Sequence, residues 1–249
     1  MLPFKYLCVL AVEALQYLLM KKANRGRRTR NAAAFYDLDG TLVKTNLVHA
    51  LLFQAKNQQG ILRSVGKTAL TFASVPLFIA TDLYNRSVFQ EMFFKYYKGE
   101  SEDRLRFLSE DLFEEVLKPS IFPGAIDLIE QSRGLGLRQV LVTGALDITV
   151  GPLARHLKID DWITNRLEFV DGFATGRLLP PIMANASKAS WIRTYAEKEG
   201  LNLSDCYCYS DSMSDLPMMS VVGHPAAVNP DSRLRSAALQ NNWPVLDLK

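Results

Sequence analysis

The sequence predicts an α/β protein: a Rossmann-like parallel sheet with a helical cap inserted after the first strand. Three observations predict it. Ala32 to Asp37 is a short apolar run ended by the turn-prone pair Asp39-Gly40, which reads as a buried strand. From Asn46 to about Ser120 the pattern is helical throughout. Beyond Pro123-Gly124, helices and strands alternate to the end of the chain, as a parallel sheet covered on both faces requires.

The elements follow in order. Glu102 to Leu117 places Leu105, Leu108, Leu112 and Val116 on one helical face, and Pro119 and Pro123-Gly124 close the helical region. Ala125 to Ser132 is expected to be helical, Gln139 to Thr143 a strand, and Ile148 to Leu157 a helix. Asp171-Gly172 between two extended pieces makes Leu167 to Leu178 a hairpin. Lys188 to Glu199 is a helix stopped by Gly200, and Cys206 to Ser210 a strand. Short strands near Ala227 and Val245 flank a helix from Asp231 to Gln240. The division is then a core of residues 31–45 and 120–249, a cap of residues 46–119, and a separate segment of residues 1–30.

Composition narrows the function. With 249 residues, 48% hydrophobic and 22% charged, the chain is of ordinary globular make-up. Three cysteines are too few for a disulfide scaffold, so a reducing compartment is expected. The net charge of +3 is unevenly placed: residues 1–30 carry seven basic residues and one acid, and the remainder 22 basic and 25 acidic. A basic tail on a mildly acidic body argues against nucleic-acid binding and for an anionic partner of the tail.

Leu2 to Met20 is an apolar stretch interrupted by Lys5, Glu13 and Gln16, which share one helical face. Lys21, Lys22, Arg25, Arg27 and Arg28 follow, where anionic headgroups on the cytoplasmic side would attract them. The segment is read as membrane-associating, spanning or lying flat, and the protein as held at the cytoplasmic side of a membrane. A cleaved signal peptide is not expected, because the charge follows the apolar run. A second apolar run, Thr68 to Thr81, is a buried or interfacial helix carrying Pro76.

Four segments carry chemistry at strand ends or helix starts, the crevice where open α/β sheets bind ligands. Asp37 and Asp39, two residues apart beyond the first strand, suit a nucleophile and a proton shuttle. Thr143-Gly144, expected just after the Gln139–Thr143 strand, offers a hydroxyl and an unhindered amide to an oxyanion. Lys188 opens a helix, where dipole and ammonium favour the same anion. Asp211 and Asp215 in Ser210-Asp211-Ser212-Met213-Ser214-Asp215 suit a hard cation such as Mg²⁺.

In this order and combination, the four segments resemble the haloacid-dehalogenase-like hydrolase superfamily over residues 32–249. The resemblance implies that Asp37 is a nucleophile forming an aspartyl-phosphate, and that Asp39 protonates the leaving alkoxide and then activates water. It implies that Thr143, Gly144 and Lys188 hold the phosphoryl oxygens. Mg²⁺ would be bound by Asp37, the Asp39 carbonyl and Asp211, with Asp215 in support. Asp at both Asp37 and Asp39 favours phosphoryl transfer over dehalogenation. The helical insertion and residues 228–248 are similar to the phosphoserine-phosphatase-like branch (subfamily IB), and within it to bacterial hydrolases of the phosphatidylglycerophosphatase type. Ser212 stands where phosphoserine phosphatases usually carry Gly. The expected function is therefore a Mg²⁺-dependent phosphomonoesterase acting at a membrane on a lipid phosphate or a similar glycerol phosphate. Two alternatives stand beside it: a phosphatase of a small soluble metabolite such as phosphoserine, and a membrane-tethered binding protein without turnover.

Other signals carry less. Gly60 to Thr68 is one residue too long for a phosphate-binding loop and follows no strand. His156 and Asp161 have an acyltransferase-like spacing without its surroundings. Cys206 and Cys208 alternate along a strand with no second metal-binding pair. His49 and His224 read as structural, and Phe89, Phe93, Phe94, Tyr96 and Tyr97 as cap core.

Overall fold

The computed structural model describes residues 31–249; the expected membrane-associating segment, residues 1–30, lies outside them. The strands are β1 (Ala33–Tyr36), β2 (Arg138–Leu146), β3 (Asp161–Asn165), β4 (Leu167–Val170), β5 (Phe173–Leu178), β6 (Tyr207–Ser210), β7 (His224–Val228) and β8 (Val245–Leu246). Among the described residues, six of them form one parallel sheet in the order β3-β2-β1-β6-β7-β8. β1 lies at its centre with all four residues buried, so Ala33, Ala34, Phe35 and Tyr36 need no polar alternation. The chain leaves β1 for β2 on one side and later places β6 on the other. The order reverses at β1, and the crevice above its carboxyl end is the switch point.

Helices α1 (Leu47–Lys56), α2 (Ile61–Tyr84), α3 (Arg86–Phe94) and α4 (Glu102–Leu112) follow β1 directly, and a single π-helical turn covers Phe113–Leu117. α1 begins at Asn46, whose side chain accepts from the Val48 amide while His49 Nδ1 accepts from the Asn46 amide. His49 is thus a capping residue. Gly60 precedes α2, and Gly66, Lys67 and Thr68 are inside it, so no phosphate loop exists there. α2 continues through Pro76. Phe78, Phe89, Phe93, Phe94 and Tyr97 are buried, with Phe78 meeting Phe89, Phe93 and Tyr96 edge to face. The aromatic cluster is cap core, as expected.

The remaining helices are α5 (Pro123–Gly134), α6 (Asp147–His156), α7 (Ala186–Glu199), α8 (Leu216–Met219) and α9 (Ser232–Gln240). The hairpin β4–β5 turns at Asp171-Gly172, both at positive φ. It reaches up to the cap: the Gly99 amide donates to the Ala174 carbonyl, and the Ala174 amide to Glu100, each at 2.8 Å.

Two expectations need correction. β2 does not stop at Thr143 but runs to Leu146, with an irregular register against β3 between Val142 and Leu146. Burial explains the extension, since Val142 to Leu146 are all covered. Asp161, read as part of a loop, begins β3, where its carboxylate accepts from the Tyr195 hydroxyl at 2.6 Å and pairs with Arg138. His156 instead lies against Phe113, so His156 and Asp161 form no acid–base pair.

Candidate active site

The site begins where β1 ends. The Asp37 amide donates to the Tyr209 carbonyl at 2.9 Å, which carries the parallel ladder one residue past Tyr36 and fixes Asp37 between β1 and β6. The chain then turns. The Thr41, Leu42 and Val43 amides all point to the Leu38 carbonyl, and Gly40 takes φ +83°, a conformation that glycine adopts without strain. A Cβ at Gly40 would run into the Asp211 carboxylate. This places the turn after β1 directly against the turn after β6.

Lys188, in the first turn of α7, reaches across both. Its Nζ lies 2.6 Å from Asp37 Oδ1 and 2.9 Å from Asp215 Oδ2, with all three side chains under 10% exposed. The Ser210 hydroxyl donates to Asp215 at 2.8 Å and the Thr41 hydroxyl to Asp211 at 3.2 Å. Asp37, Lys188, Asp211 and Asp215, which the sequence singled out from segments up to 178 residues apart, therefore form one cluster, with Asp37, Lys188 and Asp215 buried and Asp211 half-buried.

Charge in this cluster is out of balance. Burial raises the Asp37 pKa, Lys188 opposes the rise, and Asp215 adds to it. Burial and the neighbouring Asp37 raise Asp39 to about 7. Asp211 is raised to about 8 by burial, Asp37 and Asp215. Burial alone would lower the Lys188 ammonium, but Asp215 and Asp37 outweigh it and hold its pKa above the ordinary lysine value. Four acids thus face one fully enclosed cation.

Thr143 and Gly144 stand on β2 beyond Leu141, the partner of Tyr36, and so reach the same sheet edge as Asp37. The Thr143 hydroxyl accepts from the Ala145 amide at 3.1 Å, turned into the strand's own irregularity. Both residues lie within β2 and not after it. Gly144 is held from behind: its carbonyl accepts from Asn165 Nδ2 at 2.8 Å, and a Cβ would strike Gln90 Nε2.

Gln90, Asn165 and Arg86 carry parts of the site that the motifs do not contain. Gln90, on α3, donates to the Met183 carbonyl and accepts from Asn165, whose own carbonyl accepts from the Met183 amide. The cap is tied to β2, β3 and the loop before α7 through one buried amide network. Arg86, also on α3, pairs with Asp82 at 2.7 Å, and its charge also bears on Asp37, Asp39 and Asp215. No sequence spacing marks Gln90 or Arg86, because these two act from the cap across a fold-dependent gap.

Among the described residues, no three His, Cys, Asp or Glu side chains gather into a ready-made metal cage. The donor set is of another kind: oxygen donors only, carboxylates raised towards neutrality by burial and then by mutual repulsion, and an excess of negative charge. A hard divalent cation that keeps part of its water fits such a set. Beside Asp39, a narrow cavity of about 20 Å³, room for little more than a water, is lined by Leu47, Ala50, Phe94, Leu117 and Leu146, with Asn46, Tyr97 and Thr149 as its uncharged polar groups.

A model of the haloacid dehalogenase-like hydrolases matches residues 34–220. A Mycobacterium tuberculosis protein named phosphoserine phosphatase SerB1 is 32% identical over 219 residues, 88% of this chain and 71% of that one. A crystal structure of a Bordetella pertussis protein of unknown function superposes with a TM-score of 0.77 at 26% identity, covering 88% of this chain and 99% of that one. The fold also matches a phosphoserine phosphatase structure described as a phospho-aspartyl intermediate analogue, at TM-score 0.64 and 19% identity, covering 88% and 94% of the two chains.

Proposed function

We propose, on the premise that this chain belongs to the haloacid dehalogenase-like hydrolase family and is one of its phosphatases, that it hydrolyses phosphomonoesters through Asp37 and Asp39. The observation that carries this reading is Lys188 Nζ between Asp37 and Asp215, beside the Asp211 carboxylate.

Asp37 Oδ attacks phosphorus, and the bond from phosphorus to the ester oxygen breaks. Asp39, raised to about 7, gives its proton to the departing alkoxide. The resulting Asp39 carboxylate takes a proton from water as that water attacks the phosphorus of the aspartyl-phosphate. Phosphate leaves and Asp37 returns to its carboxylate. Lys188 holds Asp37 in place and offers positive charge to the phosphoryl oxygens, and Thr143 and the Gly144 amide stand at the same edge to receive them. Mg²⁺ is the proposed cofactor, with Asp37, Asp211 and the Asp39 carbonyl as its ligands and Asp215 behind them. When bound, it supplies charge neutralisation without which a carboxylate cannot approach a phosphate dianion.

For the substrate we propose a lipid phosphate, or a glycerol-phosphate-like head on an apolar body. The surroundings of Asp39 support this: apart from Asp39 itself the side chains there are uncharged, and most of them are apolar. A small soluble phosphomonoester is the second reading, favoured by the name of the M. tuberculosis relative. Attachment to an anionic membrane surface on the cytoplasmic side through residues 1–30 completes the proposal.

Phosphate release from lipid and soluble phosphomonoesters, with and without Mg²⁺, tests all of this against Asp37→Asn. Mg²⁺-dependent release by the wild type alone is expected. Turnover by Asp37→Asn near the wild-type rate would remove Asp37 as nucleophile, and preference for a soluble ester would remove the lipid reading.

A further inference from the structure

α2 is built inside out for a protein surrounded by water. Its inward face carries the polar residues. Thr71 and Ser74 are 2% and 8% exposed, and Ser74 shares a 2.5 Å hydrogen bond with the Tyr96 hydroxyl. Lys67 turns in to pair with the buried Glu100. Among these, Phe78 is the fully buried apolar anchor. The outward face is the reverse: Val65, Leu70, Phe72, Leu77 and Ile79 are 54–61% exposed, with Gly66, Ala69, Ala73, Pro76 and Ala80 exposed between them. From Val65 to Ala80 the exposed residues bear no charge and no side-chain hydrogen-bonding group over about 24 Å of helix. Surface helices in water show the opposite arrangement, and soluble monomers rarely leave so long an apolar surface uncovered.

We propose that the outward face of α2 docks into the boundary between headgroups and acyl chains of an anionic bilayer, so that the cap lies on the membrane. Three observations select this occupant. A protein partner would be met by about one hydrogen bond per 100–200 Å², and the exposed residues from Val65 to Ala80 offer no side chain to make one, whereas the acyl region requires none. Arg63 is exposed in the first turn of α2 with no ion pair among the described residues, placed to meet a lipid phosphate beside the apolar strip. The same chain carries Lys21, Lys22, Arg25, Arg27 and Arg28 after a second apolar run, a second element suited to the same anionic surface.

α2 lies along the membrane and does not cross it. The stretch Ile61–Asp82 is long and apolar enough to span, but its inner face is already occupied by Glu100, Tyr96 and the Phe89–Phe93 rings. Crossing would strip away the cap core and carry the Lys67–Glu100 pair into hydrocarbon. The docking extends the proposed action on lipid phosphates, yet it can be measured without any turnover.

The test uses the full chain with Cys8→Ser and Ala73→Cys, the introduced thiol labelled with an environment-sensitive fluorophore, on phosphatidylglycerol–phosphatidylcholine vesicles. Cys206 and Cys208 are buried and stay unlabelled. Expected are vesicle-dependent brightening of the label, quenching by nitroxides placed near the headgroups, and a loss of vesicle partitioning of about tenfold or more on adding Phe72→Gln and Leu77→Gln. Both residues are over half exposed, so turnover of a soluble phosphomonoester should be unchanged and reports that the fold is intact. Flotation with vesicles while the label stays in water would overturn the proposal, since contact would then come from elsewhere in the chain. Brightening without vesicles, together with a dimer in sedimentation, would assign the face to a second copy. Absence of flotation would also reject it. Hydrolysis of a detergent-dispersed lipid phosphate by the same proteins reports separately on the substrate reading.

Discussion

Gly40 and Asp211 are packed so closely that the Asp211 carboxylate occupies the space a Cβ on Gly40 would fill. Two turns, one after β1 and one after β6, meet there through a residue with no side chain, and Asn229 Nδ2 holds the Gly40 carbonyl from a third direction at 3.3 Å. The glycine serves two purposes: it allows φ +83° and it lets a proposed metal ligand approach the backbone of the turn that carries Asp37 and Asp39.

Gly40→Ala should therefore do more than strain a turn. The positive φ costs about 1–2 kcal/mol, and Asp211 must also move. The expected result is a modest fall in thermal stability with a loss of Mg²⁺ affinity of at least about tenfold. Isothermal titration with Mg²⁺ beside calorimetric unfolding checks it. A variant that loses stability but binds Mg²⁺ as tightly as wild type would show that Asp211 is not held in place by this contact.

Lys188 is the enclosed counter-charge of Asp37 and Asp215, so removing it leaves two buried carboxylates facing each other. Lys188→Met should destabilise the metal-free protein by about 3–5 kcal/mol and abolish turnover. Adding Asp215→Asn to Lys188→Met should return part of the stability and none of the activity. Chemical denaturation of the single and double variants measures the difference. Equal stabilities would mean that the ion pair contributes nothing beyond packing.

The pH dependence has a definite sign. Asp39 and Asp211 have folded pKa values of about 7 and about 8, above those of free carboxylates. Between about pH 4 and 8 the folded, metal-free protein therefore binds more protons than the unfolded chain, and its stability falls as pH rises through this window. Mg²⁺ competes with those protons. Its affinity should strengthen from pH 6 to 9, and saturating Mg²⁺ should flatten the fall in Tm. Thermal unfolding across this range with EDTA or with Mg²⁺ tests both halves. A metal-free Tm that rises with pH over the window would contradict the raised carboxylates.

The candidate cluster is legible in the sequence because its members sit at strand ends and helix starts, where local pattern and tertiary position coincide. Asp37, Lys188, Asp211 and Asp215 are all recoverable in this way. The extension of β2 through Gly144 is not, because its cause is burial under the cap and a contact with Asn165 on β3, neither of which is local. The strand β3 itself begins with charged Asp161 and exposed Trp162, an edge strand without the apolar run that marks β1. Thr68 to Thr81 shows its apolar content plainly. The outward direction of that content depends on where the cap's polar groups lie and cannot be read from the segment alone.

Arg86 is invisible to motif reading, yet its charge reaches both Asp37 and Asp39. It sits at the start of α3, paired with Asp82, while its charge lowers the pKa of both Asp37 and Asp39. A cation at that place attracts a phosphate dianion before any bond changes, so its effect belongs to binding more than to the chemical step. Arg86→Gln should raise KM for a soluble phosphomonoester by about tenfold with a smaller change in kcat, and Arg86→Lys should recover part of the loss. Added salt should raise the wild-type KM while changing that of Arg86→Gln less, because screening removes an attraction the variant no longer has. Steady-state kinetics at two ionic strengths decides the matter: a fall confined to kcat would mean that Arg86 acts by positioning α3 over the carboxylates and not by its field.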